Sequence, residues 1–249
     1  MTATPRTLYV HDDLSELTDD PDAARLAGRL LDLIRRDARV RVLTLAAQLE
    51  AVVAQGPHAP FALTVGIATA GERVARALHA RTGWFPTIRR IEVAREENVA
   101  GGYDLTTGGA GTLAAQLARV ADAASIAVVD DTVFSGLTMG AVLRALRPGA
   151  LARTHAFCLR AVEESLGALR ALAPVTVGVA APGRLLDDVS FINASGLVRR
   201  IAIRRRGQPP LAFFERAEWI RAWFPAAHAE VLTLCRRLNA LLEPHPRPS

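Results

Sequence analysis

The most informative segment of the sequence is IAVVDDTVFSGLTMG, residues 126–140. Its first four residues are apolar, as in a short strand buried on both faces, and the carboxylates Asp130 and Asp131 follow at once. A helix over about residues 138–146 is predicted to begin after the loop. In an open parallel sheet the carboxyl ends of the strands line the ligand crevice, so we expect Asp130 and Asp131 to lie there.

The loop that follows the carboxylates has the composition of a phosphate site. The start of the helix offers backbone N–H groups and the positive end of the helix dipole. Ser135 and Thr138 add hydroxyl donors, and Gly136 lets the backbone approach a ligand closely. Two carboxylates beside such a loop can accept hydrogen bonds from neutral hydroxyls, a combination that matches a sugar phosphate. The competing interpretation is an ordinary strand–helix turn with solvated carboxylates.

The chain contains no lysine, since all 30 residues in the Lys+Arg total are arginine. A lysine Schiff base and a phosphate loop ending in Lys-Ser/Thr are therefore excluded. Without that loop, the two carboxylates cannot belong to the magnesium strand of a nucleotide triphosphatase. The net charge of +5 over 249 residues is modest and does not indicate a nucleic-acid binder.

The composition is that of a globular protein, with 50% apolar and 22% charged residues. No apolar run approaches the roughly 20 residues that a membrane span needs, and no secretory signal is visible, so a cytoplasmic protein is predicted. Cys158 and Cys235 lack metal-ligand spacing and are expected to be buried thiols.

Strand and helix patterns alternate outward from residues 126–140. Strands are predicted at 61–68, 87–95, 126–129, 154–159 and 175–180, and helices at 71–81, 112–120, 138–146 and 163–172. This order predicts an α/β fold with a parallel, doubly wound sheet flanked by helices. We predict an N-terminal helical extension over 1–57, an α/β core with a small hood over 58–207, and a C-terminal helical segment over 208–249.

The terminal regions are less regular. Asp20 and Pro21 are typical of a helix start. Residues 40–55 are ambiguous, because residues 39–42 alternate like a strand whereas residues 45–54 have a more helical pattern, and the assignment stays open. An edge strand is predicted at 198–206, and a helical tail at 215–242 with a break at Pro225.

Residues 128–138, VVDDTVFSGLT, closely resemble the pattern of the type I phosphoribosyltransferases: apolar residues, two acidic residues, and a loop ending in Thr/Ser-Gly-Gly-Thr. The sequence departs from that pattern at Leu137, where a second glycine is common. The resemblance implies a type I phosphoribosyltransferase-like fold that binds phosphoribosyl pyrophosphate (PRPP). Asp130 and Asp131 would be catalytic residues that bind the ribose hydroxyls and contact Mg²⁺ indirectly, through ribose or water. The 5′-phosphate would be bound by Thr132, Val133, Phe134, Ser135, Gly136, Leu137 and Thr138.

The resemblance also implies a pyrophosphate loop and a lid. Arg95 would be a catalytic residue at the start of a lid over residues 96–111, and Mg²⁺ would be the cofactor that assists the leaving pyrophosphate. Arginine forks can hold phosphate without lysine. A glycine-rich surface connection is the alternative for the lid, and a solvated side chain is the alternative for Arg73. Pyrophosphate would be bound by Thr69, Ala70, Gly71, Arg73 and Arg90.

The acceptor is less well defined by the sequence. Phe134 occupies the position at which 6-oxopurine enzymes of this family carry an aspartate thought to act as a base. Because phenylalanine cannot accept a proton, hypoxanthine and guanine are disfavoured, and orotate-like, adenine-like or unusual acceptors fit better. A hood segment is assigned to 187–196, with Phe191 either stacked on an acceptor base or simply buried. The basic run 199–206 is either a nucleic-acid contact or, more commonly, a charged edge strand.

The resemblance implies a phosphoribosyltransferase that transfers the phosphoribosyl group of PRPP to a nucleobase-like or other nitrogen acceptor and releases pyrophosphate. The alternative is a non-catalytic regulator of the same fold that senses PRPP or a nucleotide. The expected partners are PRPP, a small-molecule nitrogen acceptor and a second copy of the chain in a homodimer. Neither a membrane nor a nucleic acid is expected as a partner.

Overall fold

The computed structural model describes residues 7–14, 17–99, 102–107, 111–120, 122–183 and 191–243. Its strands, numbered along the chain, are β1 (Leu8–His11), β2 (Val40–Leu43), β3 (Leu63–Ile67), β4 (Ile88–Ile91), β5 (Ala94–Glu97), β6 (Tyr103–Thr106), β7 (Ile126–Val133), β8 (Thr154–Val162), β9 (Val175–Ala181), β10 (Phe191–Asn193), β11 (Ile203–Arg205) and β12 (Gln208–Leu211). Its α-helices are α1 (Pro21–Arg35), α2 (Leu45–Val53), α3 (Ala68–Thr82), α4 (Leu113–Leu117), α5 (Leu137–Ala145), α6 (Pro148–Leu151), α7 (Glu163–Arg170), α8 (Ala194–Val198), α9 (Ala217–Trp223) and α10 (His228–Leu242). Short 3₁₀ helices cover Ala118–Val120 and Phe213–Glu215.

These elements form two compact units, each with its own core of buried apolar side chains. Unit 1 comprises Met1–Leu45, Glu96–Gly102 and Arg184–Ser249, and unit 2 comprises Ala46–Arg95 and Tyr103–Gly183. In the part of the chain that the structure describes, we find no helix with the length and apolar character needed to cross a membrane.

Unit 2 is built on a five-stranded parallel sheet with the strand order β4-β3-β7-β8-β9. β3 and β7 pair at its centre, with Gly66 opposite Val129. From β3 the chain passes through α3 to β4 on one side, whereas from β7 it passes through α5 to β8 on the other. The strand order therefore reverses between β3 and β7. This is the topological switch point at which open α/β sheets bind their ligands.

The predicted α/β class, a parallel sheet flanked by helices, is confirmed. The helices predicted at 71–81, 138–146 and 163–172 are α3, α5 and α7 of the structure, with boundaries that differ by at most three residues. The open choice at 40–55 is resolved as strand β2 followed by helix α2.

The prediction of a single strand at 87–95 is wrong in one respect, because the structure has two strands there, β4 and β5. A side chain explains the break. The backbone N–H of Glu92 donates to Oε1 of Gln116 at 2.7 Å, and Nε2 of Gln116 donates back to the carbonyl of Glu92 at 3.0 Å. An amide side chain therefore takes the place of a neighbouring strand at this residue.

Strand β7 is longer than the four apolar residues predicted for it. It continues through Asp130 to Val133 because β8 is long enough to pair with it, with Asp130 opposite Cys158 and Thr132 opposite Arg160. Asp130 and Asp131 consequently lie on the last part of a strand rather than in the loop after it, so their backbone is fixed by the sheet.

Unit 1 contains a three-stranded parallel sheet with the order β10-β1-β2. Helix α1 connects β1 to β2, and it begins as predicted: the Asp20 side chain accepts a hydrogen bond from the Asp22 N–H at 3.0 Å, with Pro21 in the first turn. α10 packs against α1, and the core between them contains Leu30, Leu234 and similar side chains.

The edge strand predicted at 198–206 is shorter in the structure. Residues up to Val198 form the end of α8, and only Ile203–Arg205 is extended. Pro209 and Pro210 lie inside a further strand, β12. β12 is at the edge of its sheet, where the missing proline N–H is tolerated. The helical tail is interrupted near Pro225, as predicted, and gives α9 and α10.

Candidate functional site

The carboxylates of Asp130 and Asp131 lie near the carboxyl end of β7, beside the switch point of unit 2. Asp130 is buried, with 8% of its surface exposed, and its Oδ1 accepts a hydrogen bond from the Asp131 N–H at 2.8 Å. The side chain of Asp131 is 22% exposed and reaches solvent. One carboxyl group is therefore enclosed by protein, while its neighbour is accessible to a ligand.

Burial raises the pKa of the Asp130 carboxyl well above 3.8, its ordinary value, and the adjacent Asp131 carboxylate raises it further. The hydrogen bond from the Asp131 N–H and the positive charge of Arg160 act in the opposite direction. A carboxyl group in this environment holds its proton to higher pH than a solvated aspartic acid.

Asp130→Asn is expected to stabilise the protein increasingly as the pH rises. Because the folded-state pKa of Asp130 is raised, its ionisation costs stability from about pH 3.8 upward, until the pH exceeds the folded-state value. Asparagine keeps the acceptor oxygen and cannot ionise. Urea unfolding of both proteins from about pH 3.5 to about pH 8 measures the effect. A stability difference that is the same at both ends of this range would contradict the raised pKa.

Asp131 is bound to a buried arginine that the sequence analysis did not single out. Nη2 of Arg160 donates to Oδ2 of Asp131 at 3.1 Å, and Nη1 donates to Oε1 of Gln48 at 2.6 Å. The hydroxyl of Thr132 also donates to Oδ2 of Asp131, at 3.1 Å. The sequence does carry a signal for Arg160, since it is the only charged residue inside the apolar strand β8.

The loop after β7 has the geometry of a phosphate-binding turn. Gly136 has φ +72°, in the left-handed region that favours glycine, and helix α5 begins directly after it at Leu137. Oγ of Ser135 lies 3.4 Å from the Leu137 N–H, which donates to it. The hydroxyl of Ser165 donates to the Phe134 carbonyl and anchors the loop to α7. The amides of the first turn of α5 thus open towards the carboxyl edge of the sheet.

The segment after β3 makes an unusually close approach to β7. A Cβ added at Gly71 would lie 2.2 Å from the carbonyl oxygen of Val129 and 3.3 Å from Cα of Asp130, so only glycine fits. Ala68, at the start of α3, has φ +50°, a strained conformation for a residue with a side chain. Thr69 and Ala70, predicted to bind pyrophosphate, follow it directly.

Two arginines predicted to bind pyrophosphate have different surroundings. Arg73 is exposed on α3. Arg90 lies at 2.6 Å from a carboxylate oxygen of Glu92 and at 3.6 Å from one of Glu72. Arg90 would have to exchange part of this pairing to hold a phosphate.

Arg95 lies over aromatic rings. Its guanidinium carbon is 4.6 Å from the ring centroid of Tyr103 and 5.7 Å from that of Phe134. Such contacts hold a guanidinium in place through its flat face. Its N–H groups lie in the guanidinium plane and do not point at the rings. Arg95 therefore lies beside Phe134 in the loop region that follows β7. Part of the predicted lid, residues 100–101 and 108–110, lies outside the described residues.

The two carboxylates do not suit a metal ion held by the protein. Asp130 is buried, and Asp131 is already bonded to Arg160. Within the described ranges, no group of three or more His, Cys, Asp or Glu side chains could hold a metal.

Phe191, predicted to stack on the acceptor, is a core residue of unit 1. It is fully buried in β10, and its ring stacks on Tyr9 with centroids 5.2 Å apart. A ring without exposed surface offers no face to a ligand, so Phe191 is not included in the candidate site. The rest of the predicted hood loop before it, residues 187–190, lies outside the described residues.

Comparison with solved structures finds matches of low sequence identity. No protein-family model matches the chain, and no curated protein sequence is significantly similar to it. The purine phosphoribosyltransferase from Pyrococcus horikoshii Ot3 is 16% identical over 61% of this chain and 89% of its own, with a TM-score of 0.40. The orotate phosphoribosyltransferase from Aeropyrum pernix is 17% identical over 54% of this chain and 70% of its own, with a TM-score of 0.34.

A hypothetical protein from Neisseria gonorrhoeae, solved with bound ppGpp, is 14% identical over 76% of this chain and 89% of its own, with a TM-score of 0.37. Two of these three structures are phosphoribosyltransferases. Matches at these identities and TM-scores give no activity, substrate or partner for this chain, and these have to be inferred from its own residues.

Proposed function

We propose that unit 2 binds PRPP and transfers its phosphoribosyl group to a nitrogen acceptor, with release of pyrophosphate. One observation carries the proposal. At the switch point of a parallel sheet, two adjacent carboxylates on β7 are followed within a few residues by a Gly136 turn that opens helix α5. A sugar phosphate requires both features: acceptors for its hydroxyls and N–H donors for its phosphate.

Each part of PRPP has a matching group. Asp131, partly exposed, accepts hydrogen bonds from the ribose hydroxyls, and Asp130 supports it from within the protein. The N–H groups and hydroxyls of residues 132–138 hold the 5′-phosphate. The residues after β3, Thr69 to Gly71, hold the pyrophosphate at the neighbouring strand end, with Arg73 and Arg90 as additional cations.

The reaction itself would be a substitution at the anomeric carbon through an oxocarbenium-like transition state. The chain must orient the ribose, stabilise the charge that develops on pyrophosphate, and exclude water. Arg95 is suited to the second task because aromatic rings hold its guanidinium beside the loop. Mg²⁺, arriving with the pyrophosphate group of PRPP, would share the negative charge that develops on it.

Phe134 limits the choice of acceptor. Its side chain cannot take a proton from an attacking nitrogen, so an acceptor whose attacking nitrogen is already deprotonated is favoured. The same residue supports a second candidate function: a sensor that binds PRPP or a nucleotide without reaction would need no base at this position. A homodimer in the cytoplasm is the predicted setting for either function, and analytical ultracentrifugation tests the assembly.

A pyrophosphate-release assay separates the two functions. Wild-type protein with PRPP and Mg²⁺ is mixed with a panel of acceptors that includes orotate, adenine, hypoxanthine and nicotinate, and released pyrophosphate is measured. A transferase releases pyrophosphate with at least one acceptor, and hypoxanthine is expected to be among the poor ones. Saturable PRPP binding without pyrophosphate release with any acceptor would contradict the transferase function and favour the sensor.

A further inference from the structure

Arg160 is among the most deeply buried side chains of the protein, with 1% of its surface exposed. It lies on β8, opposite Thr132 of β7, one residue beyond the carboxylate that it contacts. A buried guanidinium is unfavourable unless hydrogen bonds and an opposite charge compensate for lost hydration. The fold retains this charge in the sheet next to the proposed ribose site, where Gln48 and Asp131 compensate for its burial.

The contacts of Arg160 make it a bracket between two elements. One end of its fork meets Oε1 of Gln48 at 2.6 Å, and the other meets Oδ2 of Asp131 at 3.1 Å. A guanidinium is planar and rigid, so fixing one nitrogen fixes the direction of the other. The position of the Asp131 carboxylate is thereby tied to α2.

Gln48 is itself held firmly. It is 0% exposed, and its backbone carbonyl oxygen packs closely on Gly178 of β9. A Cβ added at Gly178 would lie 2.9 Å from that oxygen. That Cβ would also lie 2.8 Å from the carbonyl oxygen of Leu159, so the glycine lets α2 pack against β8 and β9. The anchor for Arg160 is therefore a close-packed helix rather than a surface side chain.

We propose that Arg160, held by Gln48, is a positioning residue that fixes the Asp131 carboxylate in the orientation in which it accepts a hydrogen bond from the ribose hydroxyls. This inference rests on the proposed PRPP site and adds to it a pair of residues that never touch the substrate. Because Arg160 already holds the carboxylate in one rotamer, less side-chain entropy is lost when ribose binds.

The test compares two ligands in the full-length protein by calorimetry. Mg²⁺–PRPP requires Asp131, whereas Mg²⁺–pyrophosphate has no ribose and does not. Arg160→Met is expected to weaken PRPP binding by about tenfold to a hundredfold, the range for one hydrogen bond to a charged group. Binding of pyrophosphate is expected to stay unchanged. Gln48→Leu is a milder change and should also weaken PRPP binding. Gln48→Glu keeps an acceptor for Arg160 and should retain most of the wild-type affinity for PRPP.

A double-mutant cycle identifies the route of the effect. Adding Arg160→Met to Asp131→Asn should weaken PRPP binding no further, because the arginine acts only through that carboxylate. Additive losses, or equal losses for PRPP and pyrophosphate, would overturn the inference and leave Arg160 with a structural role. Arg81→Met, at an exposed arginine of α3, is the matched control and should change neither affinity.

A third measurement needs no ligand. In a crystal structure of the free Gln48→Leu or Arg160→Met protein, the Asp131 carboxylate is expected to leave its wild-type position. An unmoved carboxylate would overturn the inference even if PRPP binds as proposed. If wild-type protein binds no PRPP, the proposed function fails, and this structure alone decides whether the bracket positions Asp131.

Discussion

Arg160→Met is expected to lower the free energy of unfolding by about 3 kcal/mol. Two losses add up. Gln48 loses the charged donor that lies 2.6 Å from its buried Oε1, and a hydrogen bond to a charged group contributes about 1.5–3 kcal/mol. Asp131 loses the arginine that compensates its charge. Because Asp131 is 22% exposed, water offsets part of that loss and keeps the total near the lower end of the range of about 3–5 kcal/mol for a broken buried pair.

Chemical denaturation at neutral pH measures this change. Gln48→Leu combined with Arg160→Met removes both buried polar groups and should recover part of the stability lost in Arg160→Met. The surface control Arg81→Met is expected to stay within about 0.5 kcal/mol of wild type, because its side chain only donates to the Ala77 carbonyl. A loss below about 1 kcal/mol for Arg160→Met would mean that the arginine is not held as described.

Gly71→Ala is expected to cost about 3 kcal/mol of stability, and to weaken PRPP binding as well. Its new Cβ would lie 2.2 Å from the Val129 carbonyl oxygen, a backbone atom inside the central strand that cannot rotate away. Either α3 moves out from the sheet or β7 shifts. Both movements separate the pyrophosphate segment from Asp130, whose Cα is 3.3 Å from the same Cβ.

The matched control is Gly167→Ala in α7, where an added Cβ meets nothing within 4 Å. There alanine should stabilise the helix by about 0.5–1 kcal/mol, since glycine is the poorer helix former. Thermal unfolding of both variants gives the comparison. If the two substitutions had similar effects, the close approach of α3 to β7 would be refuted.

The sequence predicted the part of the site that is local along the chain. Residues 126–138 combine a buried strand, two carboxylates and a helix start without a break, and propensity, periodicity and turn chemistry there point to the same structure. The parallel sheet followed from the alternation of strands and helices in the same way. Even within this segment, the extension of β7 to Val133 could not be predicted, because it depends on pairing with β8.

The parts that could not be predicted join residues far apart in sequence. Arg160 meets Asp131 across 29 positions and Gln48 across 112, so their contact depends on strand register and helix packing. The end of β4 is set by Gln116, which replaces a strand partner of Glu92 from 24 positions away. In unit 1, β1 pairs with β10, so Phe191 packs on Tyr9. Periodicity reports a buried face but not which residues cover it.

In the proposed function, one site combines carboxylates that bind ribose hydroxyls with backbone amides that bind a phosphate. Calorimetric titration of PRPP with Mg²⁺ into wild-type protein and into the Asp130→Asn/Asp131→Asn double variant tests it most directly. We predict saturable binding to wild type, and binding weaker by about tenfold or more to a double variant that is still folded by circular dichroism. No binding to wild type, or equal affinity for both proteins, would contradict it.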